Sequence, residues 1–80
     1  MKTLSEMPDL SIPLKKMRII NELMYNTNQN TVLGISIINA INENLPANEL
    51  FKFIKDQGED NPGIMIDVIG SKLYHEISNL

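Results

Sequence analysis

The stretch that most restricts the fold is Thr31 to Leu45, T-V-L-G-I-S-I-I-N-A-I-N-E-N-L. Val32, Leu33, Ile35, Ile37, Ile38, Ala40, Ile41 and Leu45 are apolar and fall on more than one side of a helical wheel. A surface helix carries one apolar stripe, whereas a helix apolar nearly all round is enclosed by its neighbours. This segment is therefore expected at the centre of a small domain. Its β-branched residues favour strand, but no other segment offers an obvious strand partner. Gly34 costs helix stability relative to alanine, which predicts close approach by another helix.

The flanking segments read as helices arranged about it. Pro13 suits a first helical turn, and Leu14, Met17, Ile20, Leu23 and Met24, widened by Ile19, recur at helical spacing over 13–26. Asn26 to Asn30 is a turn of residues that bond their own backbone, after which Asn30 or Thr31 caps a helix over 31–44. Leu45-Pro46 ends that helix, and a third runs over 47–57 with Leu50, Phe51 and Ile54 on one face and Phe53 further round. Gly58 is a natural stop. Glu59-Asp60-Asn61 before Pro62 caps a fourth helix over 62–78 and sets acidic charge at its positive end. Met65, Ile66, Ile69, Leu73, Ile77 and Leu80 form its inner face, and Gly34 and Gly70 are expected to mark where the second and fourth helices cross. Residues 1–12 read as an irregular arm interrupted by Pro8. The expected architecture is all-α in a single domain, a small four-helix bundle or orthogonal helical domain.

Composition narrows the function. Eighty residues bury roughly 60–65% of the surface exposed on unfolding, and with no cysteine there is neither a disulfide nor a thiolate metal cluster to compensate. Self-association would bury more apolar surface, so homo-oligomerisation stays open. Ten acidic residues against seven basic ones disfavour general nucleic-acid binding. No apolar run is long enough to span a bilayer, and Lys2 to Asp9 lacks the apolar region of a signal peptide, so a cytoplasmic protein is expected. Frequent Ile and Asn, both read from AT-rich codons, point towards a low-GC bacterium, a phage or a mobile element.

Each reactive motif has a simpler structural explanation. His75 is the only histidine, and Ser71 and Ser78 at helical spacing from it make a solvated polar strip without a nucleophile elbow. Asp56 to Asp67 has the span of a calcium loop, but Gly58 stands at its third position and Asn61 where the sixth-position glycine belongs. No catalytic residue, metal ligand or cofactor is therefore assigned. Residues 33–53 can be set out as a helix-turn-helix-like nucleic-acid or nucleotide-binding module, with 47–57 as a recognition helix offering Asn48, Lys52 and Lys55 to DNA, an alternative that Glu49, Asp56 and the phenylalanines oppose.

Lys15, Lys16 and Arg18 place three of seven basic residues within four positions at the start of a helix, where cations oppose the helix dipole at about 0.3–1 kcal/mol each. They imply an acidic partner, a phosphate ligand, a neighbouring subunit, or contact with Glu59 and Asp60 of the same chain. Glu49-Leu50-Phe51-Lys52-Phe53-Ile54, followed by Glu59-Asp60-Asn61-Pro62-Gly63-Ile64 opening a last helix, resembles the layout of the nuclease-colicin immunity proteins. That resemblance implies a small acidic four-helix protein that binds and blocks a toxin. The paired tyrosines of that family are missing here, and no functional residue carries over. The expectation is a non-enzymatic regulator or inhibitor that occludes a partner protein. Its expected contact residues are Lys15, Lys16, Arg18, Met24, Tyr25, Phe53, Glu59 and Asp60.

Overall fold

A computed structural model describes residues 11–80, and in that range the chain is helical with no strand. Five helices follow in order: α1 (Ser11–Asn26), α2 (Val32–Asn42), α3 (Ala47–Asp60), α4 (Pro62–Ile69) and α5 (Ser71–Ser78). The arm expected over residues 1–12 lies outside the described residues, apart from Ser11 and Ile12, which already belong to α1. The all-α class holds. The helix count does not, because the expected fourth helix is two.

Gly70 makes that break. Its φ of 91° and ψ of 149° fall in a region essentially reserved for glycine, so the chain turns there and restarts at Ser71. Met65, Val68 and Ile69 on α4 and Leu73 and Ile77 on α5 are buried, so both halves keep their apolar side inward. The other expected role for Gly70, a crossing point with Gly34, is not what the glycines do. A Cβ at Gly70 would meet nothing, while a Cβ at Gly34 would overlap the carbonyl oxygen of Asn28 in the preceding turn. Gly34 lets the chain fold back on itself at the start of α2. Thr31 caps that start, accepting a hydrogen bond from the Gly34 amide at 2.9 Å.

The expected centre also moves. α2 buries only Gly34, Ile37 and Ile38, leaving Val32 84% and Ile35 47% exposed. The helix that others gather on is α3, which packs against α2, α4 and α5. Leu50, Phe51 and Ile54 are buried on it, as their spacing predicts. Gly58 does not stop α3 but is buried within it, beneath the ring of Tyr74. The helix runs on to Asp60, so Glu59 and Asp60 are helical rather than part of a capping loop. Asn61 precedes α4 without a side-chain cap bond, and Pro62 takes the first turn instead. From α1 the core receives Ile19 and Leu23, while Leu14 and Met17 of the expected inner stripe face solvent. No helix among the described residues is long and apolar enough to cross a membrane.

Candidate functional site

A groove of about 580 Å³ lies between the N-terminal part of α1, one flank of α3 and the last two residues. On α3, Asn48, Lys52 and Lys55 stand at i, i+4 and i+7, so they share a helical face. α1 brings Lys15 and Lys16 to the same place. Lys16 Nζ donates to Asn48 Oδ1 at 2.6 Å, tying the two helices together, and Lys55 Nζ donates to the Leu80 main-chain oxygen at 3.0 Å. Phe51 and Leu80 supply apolar surface between the lysines. Asp56 and Glu59 also line the groove, so four ammonium groups face two carboxylates in a chain whose net charge is −3.

The basic cluster read from sequence thus divides. Lys15 and Lys16 enter the groove, whereas Arg18 turns to Glu22 and Glu76. Arg18 Nη2 donates to Glu76 Oε2 at 2.5 Å, and Nη1 lies 3.1 Å from Glu22 Oε2 as an ion pair not aligned for a hydrogen bond. The hydrogen bond from Arg18 holds the Glu76 carboxyl below its ordinary pKa against the opposing effect of burial, helped by the charges of Arg18, Lys72 and Lys15. The same pairing raises the Arg18 pKa. Because α1 already includes Ser11, Lys15 and Lys16 lie beyond a first turn, where the dipole penalty has largely decayed. The electrostatic oddity of the cluster is smaller than the sequence suggests.

The apolar contact residues are also separated. Tyr25 is 89% exposed and Met24 half-buried, both on α1. Phe53 is half-buried on the flank of α3 opposite the lysines, where Val32, Leu33, Ser36, Gln57, Asn61 and Ile64 complete a shallow groove with no charged lining residue. Glu59 lines the lysine groove, but neither it nor Asp60 forms an ion pair with a described residue. In the sequence, Lys52 and Lys55 stand out only as DNA-reading side chains. Their shared face with Asn48 was the available signal, and their meeting with α1 could not be read from spacing.

His75 Nδ1 lies 2.7 Å from the Ser71 carbonyl oxygen and 3.3 Å from Ser71 Oγ. A nitrogen that donates to a carbonyl carries a proton and cannot accept one from the hydroxyl, so this contact closes a helical turn rather than activating Ser71. Among the described residues no group of three or more His, Asp or Glu side chains stands together as a metal-holding set.

No family model, no curated protein and no solved structure matches the chain. The functional reading therefore rests on the grooves and the exposed side chains themselves.

Proposed function

We propose that this protein is a small non-enzymatic regulator or inhibitor that occludes a partner protein by holding an acidic segment of it in the lysine groove. The observation that carries this reading is the gathering of Lys15, Lys16, Lys52 and Lys55, from two helices, around apolar surface from Phe51 and Leu80. Lysine stems cover apolar surface while their ammonium groups stay in water, so the rim attracts carboxylates and the floor takes an apolar side chain. Charged rims chiefly speed encounter and set specificity, while a buried aromatic contact supplies affinity. Asp56 and Glu59 at the same groove oppose a uniformly anionic ligand such as a nucleic-acid backbone. They favour an acidic segment that carries a basic residue among its carboxylates, as a protein segment does. A cytoplasmic setting and a phage or mobile-element source accord with this reading and form part of the proposal.

Affinity capture with the full chain as bait, followed by mass spectrometry, tests it. One stoichiometric protein partner is expected, and Lys15→Glu with Lys52→Glu should cut its recovery at least about tenfold, given the strength of charge pairs at an interface, with the helical circular dichroism unchanged. Undiminished capture by the double variant would remove the groove from the account. A ligand that proves to be nucleic acid, released steeply by salt, would replace the reading altogether.

A further inference from the structure

We propose that the outer face of α1 is an interface with a second copy of this chain, the two α1 helices lying antiparallel about a two-fold axis near Asn21. Leu14, Met17, Asn21, Met24 and Tyr25 fall at i, i+3, i+7, i+10 and i+11, which confines them to an arc of about 100° on the helix. That arc lies opposite Ile19 and Leu23, the two core residues of α1. Leu14 is 62%, Met17 61% and Tyr25 89% exposed. With half-buried Met24 they make an apolar stripe interrupted by Asn21, and an exposed apolar stripe on a helix marks an interaction site. The helix is therefore amphipathic twice over, with one apolar side for its own core and one left uncovered.

The pattern along the stripe is self-complementary, which is what an isologous interface demands. With Asn21 facing Asn21 of the second copy, Met17 meets Met24 and Tyr25 of that copy, and Leu14 meets Tyr25. Charge selects the same orientation. Arg18 and Glu22 flank the stripe on one side, and in an antiparallel pair the same flanks adjoin, so Arg18 comes beside Glu22 of the second copy. A parallel pair would instead put the Arg18 and Glu22 flanks of the two copies on opposite sides of the seam and align the two helix dipoles unfavourably. The opposed polar asparagines hold the register, as a single buried polar position does in paired helices. Lys15 and Lys16 leave α1 away from the stripe, so the dimer carries two open lysine grooves.

A single pair of 16-residue helices buries less than the ~800 Å² per partner of a standard interface, so the dimer is a reversible one. Sedimentation velocity on the full chain should show the mass rising from 9.1 kDa towards twice that value between about 10 μM and about 1 mM, a range set by the small area. Met17→Glu, an exposed position, should hold the mass at the monomer value with unchanged circular dichroism. The chain lacks cysteine, so Asn21→Cys with a short thiol crosslinker should give covalent dimer at least about tenfold faster than Asp56→Cys, since facing helices stand ~8–10 Å apart. A chain that stays monomeric at about 1 mM overturns the proposal. A dimer that fails to crosslink through position 21, or that survives Met17→Glu, overturns it equally.

Discussion

The ring of Tyr74 occupies the space that a side chain at residue 58 would need, and its hydroxyl donates to the Gly58 carbonyl at 3.2 Å. This pair joins α5 to the interior of α3. Gly58→Ala would gain about 1 kcal/mol of helix propensity, yet must push an aromatic ring out of a packed position, at about 1–3 kcal/mol. The expected net effect in urea unfolding is a loss of about 1 kcal/mol from these opposing contributions. Tyr74→Phe should lose only the hydrogen bond, about 1 kcal/mol. In Tyr74→Ala, the Gly58→Ala change should become stabilising, a coupling that a double-mutant cycle reads directly.

Gly63 and Gly70 both have open space where a Cβ would go, but only Gly70 has positive φ. Their alanine variants should therefore differ in sign. Gly70→Ala is expected to destabilise by about 1–3 kcal/mol through backbone strain alone. Gly63→Ala is expected to be neutral or to stabilise by up to about 1 kcal/mol. Thermal midpoints of the two variants, compared with the parent, check this.

Much of this was legible in the sequence. Spacing places Leu50, Phe51 and Ile54 inward, and residue type offers Asn30 or Thr31 as the cap, of which Thr31 takes the role. The position of α2 is not legible there, because the apolar Val32 and Ile35 call for cover that a chain this small cannot supply on every side. Gly58 and Gly70 exchanged roles for a related reason. Spacing cannot tell a glycine that ends a helix from one that admits a neighbouring ring, since the difference lies in Tyr74, sixteen residues away. Likewise, α3 announces its lysine face, but only tertiary packing brings Lys15 and Lys16 to it.

Thr27, just beyond α1, is 6% exposed, and its Oγ1 has no hydrogen-bond partner among the described residues. A buried hydroxyl left unpaired costs about 1–3 kcal/mol. Thr27→Val keeps the shape and removes the group, so it should stabilise by about 1 kcal/mol, which in a domain of this size raises the thermal midpoint by about 4–8 °C.

Acid should weaken the protein partly through Glu76. Its folded-state pKa lies below the ordinary value, chiefly because of the Arg18 hydrogen bond. The stabilisation is therefore present in full above the ordinary carboxyl pKa and is lost as pH falls through the depressed one. Glu76→Gln should be less stable than the parent near neutrality, and the gap should close as the parent's carboxyl protonates. Because the Arg18 side chain is 45% exposed, added salt should narrow the difference at neutral pH. Thermal midpoints recorded from pH 7 downward, at low and high salt, test both statements.

The break at Gly70 also bears on how the chain reaches its native state. Each of the two segments it separates has eight residues, well short of the ~12–15 at which an isolated helix becomes even marginal in water. Neither can therefore wind up ahead of its docking site. Both must wait for α3 to offer Leu50, Phe51 and Ile54, so the C-terminal quarter should gain and lose amide-exchange protection together with α3, as one cooperative unit.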